Sequence, residues 1–191
     1  MLVQRGIYDK AVEEAAAVAN SVTVGPASDE GRHIGPVVNE VQWGKIQALI
    51  EKGIDEGAKL VAGGPGRPDG LNRGFYVKPT VFADVNNQMT IAREEIFGPV
   101  LSIIPFDTEE EAVEIANDTP YGLTNYVQTQ DTARANRLAT QLRSGMVEMN
   151  GTSRGAGAPF GGMKQSGNGR EGGVWGLEDF LEVKSVSGWT A

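Results

Sequence analysis

Glu94 and Glu95 stand directly before Ile96-Phe97-Gly98-Pro99, so two carboxylates and an aromatic ring share one Gly-Pro turn. The turn leads into an apolar run, Val100, Leu101, Ile103 and Ile104, of the kind found in strands covered on both faces. In α/β proteins ligands bind at the ends of such strands. A carboxylate placed there accepts hydrogen bonds from both hydroxyls of a ribose, and a phenyl ring offers a flat apolar face. A solvated acidic loop with Phe97 in the core fits the same residues. A second cluster runs from Asn150 to Phe160 and closes on Pro159-Phe160-Gly161-Gly162, again after a strand-like segment. Its glycines permit close approach to a ligand or to another backbone segment, and composition does not separate these from simple loop freedom.

The residues Gly167-Asn168-Gly169-Arg170-Glu171-Gly172 satisfy G-x-G-x-x-G by letter. The dinucleotide fingerprint needs a hydrophobic strand in front, and Pro159 to Ser166 is not one, so this segment reads as a glycine-rich loop. Groups that are missing constrain the chemistry further. The 191 residues contain no cysteine, which removes disulfides, thiolate metal sites and a thiol nucleophile. With His33 as the one histidine, a histidine metal site or a Ser/His/Asp triad is disfavoured.

The elements that must position these residues follow from hydrophobic periodicity. A strand at Leu2 to Gln4 precedes a helix over Ile7 to Ala19, with Ile7, Ala11, Ala15 and Val18 at helical spacing. A loop from Val24 to Gly35 leads to a second helix, capped by Asn39 and reaching about Gly57, with Val41, Ile46, Ile50 and Ile54 expected on one face. Lys59 to Ala62 is a short strand, Gly63 to Gly74 a turn-rich connection, and Phe75 to Val85 a β-rich stretch broken by Pro79. Pro99 to Phe106 reads as one strand. Glu109 to Ala116 and Thr132 to Leu142 read as helices, Thr124 to Thr129 and Gly145 to Met149 as strands. Residues 151–176 are too glycine-rich for a core element, and a short helix near Leu177 and a last strand, Leu181 to Val186, complete the chain. This alternation predicts an α/β fold with a parallel sheet and right-handed crossovers.

Composition excludes other classes. Seventeen basic against 25 acidic residues give a net charge of -8, which argues against nucleic acid or an anionic membrane as partner. A chain with 40% hydrophobic and 22% charged residues is ordinary folded material, and its length points to one domain. The first residues lack a basic stretch followed by an apolar one, and no apolar run approaches about 18 residues. A cytoplasmic location is therefore expected.

Taken together, Glu94 to Val100, Tyr121-Gly122-Leu123, Asn150, Pro159 to Gly167, Gly169-Arg170-Glu171 and Glu182-Val183-Lys184 resemble the carboxy-terminal part of the NAD(P)-dependent aldehyde dehydrogenases, in that family's order and approximate spacing. The resemblance covers essentially the whole chain. It implies the three-layer, parallel-sheet α/β catalytic domain of that family, incomplete at its amino-terminal end over residues 1–180, with an oligomerisation strand in 181–191. It further implies that the cofactor domain, the nucleophilic cysteine, the general-base glutamate and an oxyanion-stabilising asparagine all lie outside this sequence.

Residue by residue, the resemblance assigns Glu95 to the nicotinamide-side ribose and Phe97 to the ring beside the nicotinamide. Gln42 and Lys45 match positions near the other ribose. Asn150 and Phe160 match the wall of the substrate tunnel, Glu171 matches a second glutamate proposed to relay protons, and Arg170 and Glu182 match charged positions near a subunit interface. The loop between Asn150 and Pro159, which shapes substrate choice in the family, does not identify a substrate here. The implied cofactor is NAD or NADP in the full-length enzyme, and the chain alone is expected to bind neither and to be inactive, because nothing in it replaces the thiol. A homo-oligomer through the last strand and an exposed sheet edge is expected. The alternative is a non-catalytic module that pairs through that edge with itself or with a complete dehydrogenase.

Overall fold

A computed structural model describes residues 1–188. The end of the expected carboxy-terminal segment, residues 189–191, lies outside the described residues. The chain divides into two compact units, residues 1–112 and 113–191, which are described separately.

In the first unit β1 (Leu2–Gln4) leads through a tight turn into α1 (Tyr8–Ser21). Then follow α2 (Glu40–Asp55), β2 (Lys59–Ala62), β3 (Thr80–Ala83), the single turn α3 (Thr90–Arg93), β4 (Val100–Ser102) and β5 (Ile104–Phe106). β3 pairs antiparallel with β2 and parallel with β4, and β5 pairs parallel with β1. The apolar run after Pro99 is thus not one continuous strand. Its first half serves β3 and its second half serves β1. Between them Ile103 is fully buried and donates its N–H to the Phe82 carbonyl at 2.8 Å. Pro105, which has no N–H, sits in the second half, where a longer ladder would lack a donor.

Side chains alternate across β3, and the two faces are covered by different helices. Val81 joins Val3, Tyr8, Ala62 and Ile103 in a cluster that packs on Ala11, Val12, Ala15, Ala16 and Ala19 of α1. Phe82 points the other way, toward Gly53 of α2 and Ile91 of α3. Helix, sheet and helix make the three expected layers. The apolar stripe of α1 is centred on its small residues, so Ile7 and Val18, roughly a quarter-turn away, are exposed rather than packed. On α2 the buried face is Ile46, Ile50 and Gly53. Val41 lies five residues from Ile46, about 140° around the helix, and is 82% exposed. Tyr8 pins α1 to the sheet: its buried hydroxyl accepts the Asp84 N–H at 2.6 Å and donates to the Ile103 carbonyl. Burial raises the phenol's pKa.

The second unit is built around a β-α-β crossover. β6 (Thr124–Val127), α5 (Thr132–Gln141) and β7 (Met146–Met149) follow α4 (Glu109–Asn117), whose residues fall on both sides of the boundary between the units. The two strands pair in parallel, as a helical crossover requires. Asp131 caps α5 by accepting the Arg134 N–H, which holds its carboxyl below the usual range. A glycine-rich loop and the short α6 (Gly173–Glu178) complete the unit. The expected strand at Leu181 to Val186 is absent: among the described residues this segment pairs with nothing, and Val183 is 98% exposed. A strand exists only through a ladder to a neighbour, and none of the described strands lies beside this one.

Candidate functional site

Helix α2 forms because Asn39 accepts the Gln42 N–H at 2.9 Å and starts a 16-residue amphipathic run. One face of it carries the turn that holds Glu95 and Phe97. The Gln42 side-chain amide donates to the Ile96 and Phe97 carbonyls at 2.9 and 3.1 Å, and Lys45 Nζ donates to the Glu95 carbonyl at 2.8 Å. Gly98 closes the contact: a Cβ there would come within 2.6 Å of Ile46 Cδ1, so a larger residue would force the buried Ile46 side chain to shift. At the far end, Glu56 accepts both the N–H and the hydroxyl of Thr90 at 2.6 Å each, capping α3. Those bonds, with Lys52 nearby, hold the Glu56 carboxyl below its ordinary range.

The result is a fixed turn with an outward-facing tip. Ile96 is buried, whereas Phe97 adopts φ +54° and is 75% exposed, and Glu95 is exposed as well. Of the two sequence readings of this segment, the core position for Phe97 is excluded. A positive φ in a non-glycine aromatic is a strained conformation that surrounding contacts must enforce, and here α2 supplies them.

The second cluster lies in the second unit. Asn150 ends β7 at φ +53°; its N–H donates to the Val127 carbonyl and its side-chain oxygen accepts the Thr129 N–H, so it locks the two strand ends together. Phe160 and Glu171 form an isolated bridge, exchanging N–H···O bonds of 2.8 and 2.7 Å. That bridge sets the Glu171 backbone beside that of Phe160, and Glu171 is exposed. Arg154 lies over the Phe160 ring at 5.4 Å and donates to the Ala158 carbonyl. An open cleft of about 630 Å³ runs along β7 and is lined by Met146, Glu148, Asn150, Arg154 and Pro159 among others. The Arg170 guanidinium is engaged by the carbonyls of Gly162 and Gly169, and among the described residues no ion pair joins it to Glu182, which is exposed. The G-x-G-x-x-G letters fall in this loop, after a single 3-10 turn (Lys164–Ser166) and not after a strand.

Gln42, Lys45, Glu95 and Phe97 therefore meet in one place, and Asn150, Phe160, Arg170 and Glu171 belong to one loop system. The sequence model of the aldehyde dehydrogenase family matches residues 1–186. The chain belongs to that family. An aldehyde dehydrogenase structure from Bartonella henselae is 59% identical, superposes with a TM-score of 0.97, and shares 99% of this chain but 40% of its own. The aldehyde dehydrogenase C structure from Pseudomonas syringae, a C291A mutant in complex with NAD+ and octanal, is 50% identical with a TM-score of 0.96, covering all of this chain and 39% of its own. A Pseudomonas 3-succinoylsemialdehyde-pyridine dehydrogenase is 49% identical over 189 residues, 99% of this chain and 40% of that enzyme. The chain thus spans about 40% of the length of the aldehyde dehydrogenases it matches. No described helix is long and apolar enough to cross a membrane.

Sequence reasoning missed Glu56 and Thr90. They are 34 residues apart and share no local motif, so only the fold brings them together. The asparagine cap of α2 was the one local signal pointing to that helix as a rigid support.

Proposed function

We propose that this chain is the carboxy-terminal part of the catalytic region of an NAD(P)-dependent aldehyde dehydrogenase, which oxidises an aldehyde to a carboxylic acid when joined to the thiol-bearing remainder of the enzyme. The observation that carries this reading is the turn on α2, where an exposed phenyl ring is held at φ +54° beside an exposed carboxylate. A flat apolar face next to an acceptor pair fits a nicotinamide and its ribose. The cofactor, when bound, supplies the hydride acceptor. Glu95 accepts the ribose hydroxyls, Phe97 lies along the ring, and Gln42 and Lys45 belong to the same cofactor-facing site. Asn150 and Phe160 wall the aldehyde tunnel, and Glu171, on the paired backbone beside Phe160, relays protons. Without a cysteine in its 191 residues the chain has no group to attack the carbonyl and is inactive by itself.

The test joins residues 1–191 to the part of the Bartonella henselae enzyme that they leave unmatched. The chain alone should form no NADH from NAD and an aldehyde, the joined enzyme should form it, and Glu95→Ala should raise the KM for NAD about tenfold in the joined enzyme. NADH formation by the chain alone, or a folded but inactive joined enzyme, would overturn the reading.

The oligomer rests on a second observation. Leu181, Val183 and Val186 expose apolar side chains on a segment with no strand partner among the described residues, as an oligomerisation strand within residues 181–191 would before pairing. Glu182 lies within it, and Arg170 precedes α6 ahead of it. Light scattering should show the chain as an oligomer and Val183→Lys as a monomer; a monomeric parent chain would remove this part of the proposal.

A further inference from the structure

The letters Gly167-Asn168-Gly169-Arg170-Glu171-Gly172 do not make a dinucleotide fingerprint, but they contain an asparagine followed by a glycine. Such a step is chemically labile, because glycine has no Cβ to keep its amide nitrogen from the carbon of the preceding side-chain amide. The sequence has two of them, Asn150-Gly151 and Asn168-Gly169. Both are exposed, so accessibility does not separate them. Hydrogen bonding does. The Asn150 side-chain oxygen accepts the Thr129 N–H at 2.8 Å, and the Thr152 N–H closes a turn over Asn150 onto the Met149 carbonyl at 3.0 Å. Swinging the Asn150 side chain onto Gly151 breaks the hold between two strand ends. Among the described residues no hydrogen bond engages the Asn168 side chain or the Gly169 N–H, and Gly167 ahead of them is in the left-handed region at φ +112°. The second step is free to react.

We propose that Asn168 is a site of spontaneous deamidation, and that isoaspartate formed there loosens the loop joining Phe160 to Glu171. The Gly169 nitrogen gives up its proton and bonds to Asn168 Cγ, the Cγ–Nδ2 bond breaks, and the side-chain nitrogen leaves with that proton as ammonia. The succinimide ring then takes up one water. Opening at one carbonyl leaves aspartate, whereas opening at the other routes the main chain through the former side chain and leaves isoaspartate. No oxidant or cofactor takes part. Isoaspartate adds one methylene to the main chain just ahead of Gly169, whose carbonyl is closely held: Arg170 donates to it and to the Gly162 carbonyl at 2.9 and 2.7 Å, and a Cβ on Gly161 would run into it. Two residues on, Glu171 exchanges its backbone bonds with Phe160. A longer chain at residue 168 displaces that carbonyl and pulls on the bridge. The deamidation stands apart from the proposed function, and only its effect on activity rests on the roles proposed for Phe160 and Glu171.

The chain is kept for days in mildly alkaline buffer and cut with trypsin. Cleavage after Lys164 and Arg170 isolates Asn168, and cleavage after Arg143 and Arg154 isolates Asn150. Mass spectrometry, with a protein isoaspartyl methyltransferase to count isoaspartate, should find the product at residue 168 while Asn150 stays intact. Hydrogen exchange at the Phe160 and Glu171 amides should quicken about tenfold in the deamidated chain. Gly169→Ala should slow the reaction about tenfold or more. It should fold, because Gly169 lies outside the left-handed region and its Cβ would meet only the Asp179 carboxylate, at 3.5 Å. Asn168→Gln, which keeps an amide but needs a larger ring, should give no product and keep exchange slow. In the joined enzyme, activity should decline as isoaspartate accumulates and persist in Asn168→Gln. Deamidation at Asn150 ahead of Asn168, or an equal rate in Gly169→Ala, overturns the site. Isoaspartate at residue 168 with unchanged exchange at Phe160 and Glu171 overturns the loosening. A joined enzyme that is folded but inactive, with deamidation and faster exchange still seen in the chain, removes the proposed function and supports this inference.

Discussion

Gly145→Ala should destabilise the second unit by about 3 kcal/mol, close to the upper end of what overpacking usually costs. Gly145 opens β7, with its N–H donating to the Gly122 carbonyl at 2.9 Å. A Cβ at this position would overlap the Gly161 carbonyl oxygen and lie 3.1 Å from Gly162 Cα. Both obstacles are backbone, so no side-chain rotation relieves them. The loop is itself tightly packed backbone to backbone, since a Cβ on Gly161 would in turn run into the Gly169 carbonyl oxygen. The loop is fixed from outside as well: Met163 donates to the Gly122 carbonyl, the Ser166 hydroxyl accepts the Gly122 N–H, and Lys164 Nζ donates to the carbonyls of Asn117 and Thr119. Accommodating one methyl therefore means moving the loop that sets Phe160 against Glu171. Urea denaturation and hydrogen exchange at the Phe160 and Glu171 amides give the readout. Gly155→Ala, with nothing near its Cβ, is the control and should stay within about 0.5 kcal/mol of the parent. Equal stability of the two variants would contradict the packing argument.

How far the residues alone reveal this architecture depends on the range of the interactions involved. Asn39 is a local signal, a cap three residues ahead of the N–H it accepts, and the start of α2 is readable from it. The chemistry of Glu95 and Phe97 is equally local, since residue type fixes what a carboxylate and a phenyl ring offer. Where Phe97 points is not local. Its exposure depends on Gln42, 55 residues away, and on a positive φ that only the assembled helix and turn enforce. The division of residues 100–106 between two partners is likewise hidden, because an apolar run looks the same whether one neighbour or two will pair with it. The last strand fails for a related reason. Leu181 to Val186 has a strand's composition, but the partner that would make it a strand is not among the described residues of this chain.

Phe82→Ala should cost about 3 to 5 kcal/mol and should loosen the Glu95–Phe97 turn as well. Phe82 is fully buried in β3 and is the largest wholly buried side chain described. Its ring reaches the site where a Gly53 Cβ would stand, 3.2 Å from Cζ, alongside the Ile91 methyls, so one side chain packs under both α2 and α3. Truncation removes the transfer energy of a phenyl ring and leaves a cavity where the two helices share their floor. Val81, its neighbour on the strand, faces the α1 cluster and touches a different layer. The two truncations therefore separate stability from positioning. Val81→Ala should lower the urea midpoint by less than Phe82→Ala and keep the amides of residues 94–98 protected, while Phe82→Ala should lose that protection under conditions where β1 and β5 still resist exchange. If Val81→Ala loosened the turn as much, the turn would be reporting global stability, and the role of α2 as its dedicated carrier would fall. If only Phe82→Ala does so, the exposed carboxylate and ring are held in place by a chain of contacts running from the buried sheet through α2 to the exposed tip.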